Sequence, residues 1–260
     1  MTAGPPLIHG EEADITQPYR RRIRCVAPEP GVVIGDLEDD FHRFRVTLRH
    51  ANGVVTAVDG EALRFPWTTC PGAVEPLRAL EGMPIDARCT SVSRIADPKV
   101  NCTHMFDLAG HSVAHAARGT AARQYDVELW RTEHGHRASI ARDHEPLFEW
   151  EMQFVNGGRE LVDPPPPFDT APVRQGGFIR WTDEHLESEL GEAAVILRRA
   201  CDIGMGRGMA FDQYATLADI PTARMGICFS WNEDTAPVAV RMQRSVRDFG
   251  TSPDALCTPD

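Results

Sequence analysis

The alternation of Phe44, Val46 and Leu48 with Arg43, Arg45, Thr47 and Arg49, followed by Asn52-Gly53, constrains this chain more than any other feature. A period of two puts the apolar side chains on one face of a strand and the charged ones on the other. Asn-Gly supplies the two positive-φ residues of a tight hairpin turn, so Val54 to Val58 is expected to return antiparallel. A second alternation, in Tyr125, Val127 and Leu129 and again in Phe148, Trp150, Met152 and Phe154, predicts another sheet segment with its turn at Gly157-Gly158.

A half-buried sheet needs a covering layer, and three segments offer helices. Ala73 to Leu80 starts near Pro71. A second runs over 102–118, with Asn101 or Thr103 as cap and Gly119 as stop. The third covers 183–203, where Thr182-Asp183-Glu184 precedes one apolar stripe of Leu186, Leu190, Ala193, Ile196, Leu197 and Ala200. Gly204, Gly206 and Gly208 follow that helix, where they end it; a dinucleotide loop needs its glycines between a strand and a helix start. The expected fold is therefore α+β, with hairpins near 40–66 and 124–162 packed against these helices.

Residues 1–35, rich in Pro, Gly and charge, read as an extended N-terminal arm, with Arg20 to Arg24 as its solvated basic run. Residues 36–250 read as one α+β domain and 251–260 as an irregular tail. A short helix over Asp212 to Ile220 and a strand over Met225 to Trp231 complete the expectation. No internal repeat is evident.

With 42% hydrophobic and 25% charged residues in a 260-residue chain, a sizeable core is affordable and wholesale disorder is excluded. The net charge of −11 argues against a nucleic-acid or anionic-membrane surface, because neutralising phosphates takes clustered Lys and Arg. Seven cysteines, odd in number and widely spread, do not suggest a disulfide framework. No signal-peptide pattern and no run of roughly 18 apolar residues occurs. The expected setting is the cytoplasm, with a small-molecule partner and a possible homo-oligomer.

The chemistry-bearing residues concentrate in Asn101-Cys102-Thr103-His104 through His115. At about 100° per residue, His104, Asp107, His111 and His115 fall in a sector of about 80°. That stripe is either the wet face of the helix or a site. His111 and His115, four apart, have the spacing that lets two imidazoles share a metal, and Asp107 is placed to ligate or to orient a ring. Cys70 and Cys102 each stand at a helix start, where the dipole lowers a thiol pKa. If those starts meet, Cys70, Cys102 and His104 make a soft ligand set for zinc or iron, or a nucleophile with its base. Read alone, each cysteine is a small buried apolar residue. His104 near the helix start is expected to stay neutral, and as a surface residue its replacement by Asn should cost about 0.5 kcal/mol. Asp40 and His42, two apart in an extended segment, form a second acid/base candidate.

Two stretches, Arg64-Phe65-Pro66-Trp67-Thr68-Thr69-Cys70-Pro71-Gly72-Ala73 and Asn101-Cys102-Thr103-His104-Met105, resemble a bacterial family known as domain of unknown function 2889, with a likeness running from about residue 20 to 250 through Cys228-Phe229 and Ser245-Val246-Arg247-Asp248-Phe249. The resemblance implies a shared motif of Cys70, Cys102, His104 and Cys228 and brings no activity with it. The order of strand, cysteine turn and helix is also similar, at the level of fold, to iron–sulfur scaffold proteins. The functional expectation is a lyase- or isomerase-like enzyme acting on a small, partly apolar molecule by acid/base or metal-assisted elimination, hydration or isomerisation. It would use His104, Cys102, Cys70, Asp107, Asp40 and His42, with no nucleotide cofactor and either no metal or one zinc or iron on Cys70, Cys102, His104, His111 and His115. The alternatives are a metal or iron–sulfur handling scaffold and a binding protein with core cysteines.

Overall fold

A computed structural model describes residues 14–155, 158–173, 177–220 and 225–258. Its frame is an eight-stranded antiparallel sheet of β1 (Tyr19–Glu29), β2 (Val32–Asp39), β3 (Arg43–Ala51), β4 (Val54–Arg64), β5 (Ala122–Arg131), β6 (Gly135–Arg142), β7 (Glu145–Val155) and β8 (Gly158–Val162), in the order β4-β3-β2-β1-β5-β6-β7-β8. Two four-stranded meanders thus meet along β1 and β5. Each is followed by a long helix, α2 (Thr103–Arg118) after the first and α4 (Ser188–Gly204) after the second. Two short helices, α1 (Val74–Leu77) and α3 (Phe178–His185), complete the layer. The architecture is repeated although the sequence hardly betrays it: Gly31, Asp39 and Phe44 recur at the same spacing as Gly135, Asp143 and Phe148.

The Asn52-Gly53 hairpin forms as its chemistry requires, with φ of 52° and 76° at the turn. Gly119 ends α2 in the left-handed conformation, φ 65°. The apolar face of the sheet carries Ile23, Val33, Leu37, Phe44, Val46, Leu48, Val127 and Leu129, all buried beneath the helices. The other face is laced by cross-strand ion pairs, Arg22 with Asp126 at 2.6 Å and Arg45 with Asp36 at 2.8 Å. In the second half, Trp150, Phe168, Phe178 and Trp181 make an aromatic core under α3.

Several expectations are corrected. Residues 19–35 are no arm: β1 is a central strand, with Tyr19, Arg21, Ile23 and Cys25 alternating inward, and the basic run is spread over its two faces. Order continues past residue 250, where the Cys257 amide donates to Glu38 at 2.7 Å and Leu256 is buried. The third helix is two helices, because the chain turns extended at Leu186; Thr182 lies inside α3 and its hydroxyl donates back to the Ile179 carbonyl. Met225 to Trp231 forms turns and a 3-10 segment instead of a strand, and 211–220 holds two 3-10 turns. The turn expected at Gly157 lies outside the described residues.

Helix α2 sits close to its neighbours because glycines allow it. A Cβ at Gly110 would stand 2.1 Å from the Cys89 carbonyl oxygen, a backbone atom with nowhere to go. Helix propensity favours Ala over Gly by about 1 kcal/mol, whereas overpacking costs about 1–3 kcal/mol. Contact with a fixed carbonyl decides the sign, so Gly110→Ala is expected to lower the urea midpoint, against its propensity. A raised midpoint would show that α2 does not rest on the 89–94 segment.

Candidate functional site

Where β2 ends, the chain turns sharply before β3, and Asp39 makes the turn. Its Oδ1 accepts the backbone N–H groups of Phe41 and His42, both at 2.8 Å. The carboxylate is fully buried, and cross-strand pairing brings Arg21 opposite it. Arg21 donates to Oδ2 through Nη2 at 2.6 Å and Nε at 3.0 Å, and the Tyr19 hydroxyl donates to the same oxygen at 2.8 Å. Burial works against charge on this carboxyl, but the groups facing it, His42 and Arg21, hold it well below the usual carboxylate range.

The His42 Nδ1 lies 3.0 Å from Asp39 Oδ1. An ionised carboxylate only accepts, so a neutral His42 carries its proton on Nδ1 and leaves Nε2 bare. Burial pushes its pKa down against the pull of Asp39. On the other side His104, in the first turn of α2, stacks on it with ring centroids 3.8 Å apart and planes 30° apart. His104 Nε2 is buried with no hydrogen-bond partner. Burial, and then the neighbouring His42 and Arg21, push its pKa well below the ordinary value, which leaves a neutral ring. Beside it lies a small, partly open space of about 10 Å³, bordered by Arg21, Thr103, His104, Asp107, His111 and Arg199. That is the room taken by roughly one water molecule. The half-buried pair of Asp107 and Arg199, 2.9 Å apart, stands on its outer side.

The carboxylate that orients His42 is thus Asp39 and not Asp40. Asp40 lies in the turn, faces the other way and is paired with Arg207, while burial raises its carboxyl to about 7. The stripe on α2 is no wet face, since His104, His111 and His115 are all buried. Nor does it form one ligand set, although His104, Asp107 and His111 border the same small space. His111 Nδ1 meets Glu192 at 2.9 Å, and Glu192 also holds Arg118 and the Tyr125 hydroxyl; His115 Nδ1 lies 3.4 Å from the Thr120 hydroxyl. The surface estimate for His104→Asn therefore fails, because that ring is 9% exposed and packed against two others.

Cys70 and Cys102 do come within electrostatic range of each other, joined by Cys228. The His104 ring packs against His42 and Phe44. The expected thiolates are overturned as well: burial raises Cys70, raises Cys102 strongly, and lifts Cys228 to about 11. A helix dipole contributes roughly 0.3–1 kcal/mol, under one pKa unit, and burial outweighs it here. The Cys70 thiol lies 3.5 Å from the Ser230 hydroxyl.

Among the described residues, two groups have metal-ligating atoms within 4.8 Å of one another: Asp39, His42 and His104; and Cys89, His111 and Glu192. Neither is the expected set, and neither fits a cation well. In the first, both Asp39 oxygens are already occupied by donors and the Arg21 guanidinium abuts them. In the second, Arg118 and Tyr125 take up Glu192, and burial holds the Cys89 thiol well above its ordinary pKa. Tyr19, Arg21, Asp39 and Glu192 were not among the expected site residues. The first three do follow a period of two, the one signal that marks them. Comparison with known proteins gives no matching family model, curated protein or solved structure.

The pH dependence of stability follows from these shifts. His42 and His104 have folded pKa values below the unfolded value of about 6.5, so the stability they confer is complete above that pH and is lost as pH falls below it. Asp40 acts in the opposite sense, since its raised carboxyl takes a proton in the folded state first. Removing one histidine isolates its share. As the pH falls below about 6.5 the stability gap between the native protein and His104→Asn should narrow in urea titrations, with a slope that does not exceed about 1.4 kcal/mol per pH unit. Parallel pH profiles would show that His104 is charged in the folded protein.

Proposed function

We propose that this protein is an enzyme acting on a small, partly apolar organic molecule by acid/base chemistry, with His104 Nε2 as the group that takes and returns the proton. The observation that carries this reading is a neutral imidazole whose Nε2 is buried without a protein partner, on a residue that borders a water-sized space. A buried acceptor left unsatisfied costs about 1–3 kcal/mol, and such groups concentrate where they serve chemistry. His42, locked by Asp39, stacks behind His104 and fixes its plane. Arg21 and Arg199 border the same space and supply positive charge for a developing oxyanion or enolate.

The size of the space selects among the reaction classes. Room for one water beside a base favours hydration and its reverse, elimination, over isomerisation of a wholly enclosed substrate. The substrate then approaches from the side of Asp107 and Arg199, whose side chains are partly open to solvent. Cys70 and Cys102 serve the core in this reading and take no part in the chemistry.

The test is a panel of small unsaturated and β-hydroxy carboxylates and thioesters incubated with the protein in D₂O, with deuterium entry beside the carbonyl followed by NMR. At least one member should exchange, and His104→Asn should slow it by a factor of about 10²–10⁴ at equal folded concentration, checked by near-UV circular dichroism. Chelator should leave the rate unchanged. No exchange across the panel, or an unaltered rate in the folded variant, would remove His104 from the chemistry.

A further inference from the structure

On the opposite face of the sheet, behind the Asp39 turn, lies a cleft of about 410 Å³. The described residues that line it include Arg43, Arg64, Arg244 and Arg247 and one carboxylate, Glu38, which is buried. That volume lies within the range of small-molecule sites, about 300–1,000 Å³, whereas the space at His104 does not. The chain as a whole carries −11, yet charges beyond about 8 Å are screened at physiological ionic strength, so the local excess governs what enters.

The cleft is held in shape from both ends. Arg64, its side chain 9% exposed, donates to the carbonyls of Asp39, Asp40, His42 and Ser245 and pairs with Glu38 at 3.2 Å. Across from it, Asp212 accepts the Arg244 amide at 2.9 Å and Arg241 Nε at 2.8 Å, and Arg241 also donates to Ser245. Arg244 is thereby kept in the left-handed region, φ 58°. Arg244 and Arg247 make no ion pair among the described residues, Arg247 Nε is buried without a partner, and Arg247 faces Arg64 closely enough that each positive charge opposes the other. Like charges gathered at one concave site, with donors unspent, call for an anion. Leu63, Phe65 and Met242 form an apolar wall beside them, and Leu63 and Met242 are among the exposed large hydrophobic residues.

We infer that this cleft binds a small amphiphilic anion, its carboxylate or phosphate held by Arg244 and Arg247 and its apolar body laid against Leu63, Phe65 and Met242. The inference does not rest on the acid/base reading, because none of these residues borders His104. It does suggest how the two faces communicate: Arg64 grips the carbonyls of the very turn whose Asp39 side chain positions His42.

Calorimetric titration of the full chain at low salt with phenyl phosphate, benzoate and inorganic phosphate tests the proposal. Phenyl phosphate or benzoate should bind at one site, at least about fivefold more tightly than inorganic phosphate, and whichever binds tighter names the headgroup. The double variant Arg244→Gln, Arg247→Gln should weaken binding by about ten- to a hundredfold, since charge-assisted hydrogen bonds are lost. Met242→Glu leaves every arginine in place and sets a like charge at the apolar wall; it too should weaken binding, with the thermal melt unchanged. No saturable binding by any of the three anions would overturn the proposal, as would binding unaltered in both variants, or inorganic phosphate binding as tightly as the other two.

Discussion

The buried pair of Asp39 and Arg21 is the interaction on which the rest of the first half depends. Removing two charges from water costs several kcal/mol each unless the geometry is good and the remaining lone pairs are filled. Here Asp39 is fully buried and both oxygens are filled, by Arg21 and Tyr19 on one side and by the turn amides and His42 on the other. One carboxylate therefore closes the β2–β3 turn, neutralises the only arginine on the inner face of β1 near it, and orients an imidazole. Losing it would leave Arg21 buried and unpaired, a change on the order of 3–5 kcal/mol.

The two halves of the sheet share a plan and differ in what fills it. Beneath α2, the position opposite the meander is polar, with Tyr19, Arg21, Asp39, His42 and His104 in contact. Beneath α3, the second half is filled by Trp150, Phe168, Phe178 and Trp181. An apolar core of the second kind meets the needs of stability alone. The polar cluster of the first kind, a carboxylate, a guanidinium and two imidazoles buried in an otherwise apolar core, is a departure from local consistency of the sort that marks a functional site. Its dependence on the sheet is direct, since Arg21 reaches Asp39 only through the β1–β2 register.

Much of the frame was legible in the sequence. Asn52-Gly53 fixed one hairpin, Gly119 fixed the end of α2, and the period-two runs in 125–129 and 148–152 marked β5 and β7. β1 was hidden because Arg20 to Arg24 masks its inward residues: Arg21 is polar yet points into the core, so the alternation reads as a basic run. The break between α3 and α4 was hidden because the apolar stripe continues across Leu186 while the backbone does not. At the site, His42 and His104 were legible as residues but not as partners. They are brought together by a turn and a helix far apart in sequence, and the carboxylate that orients His42 was misplaced by one position because Asp39, not Asp40, closes the turn. The cysteines misled for a simple reason of magnitude, burial being stronger than a helix dipole.

The central claim is that Asp39 fixes His42 as a neutral Nδ1–H tautomer against which a neutral, unpartnered His104 is stacked. Long-range ¹H–¹⁵N correlation spectra of histidine-labelled protein report the protonation of each ring nitrogen directly. At pH 6.5 the account predicts a protonated Nδ1 and bare Nε2 for His42, and a bare Nε2 for His104, with neither ring charged. An imidazolium signature at either residue, or a proton on His42 Nε2 instead of Nδ1, would contradict it.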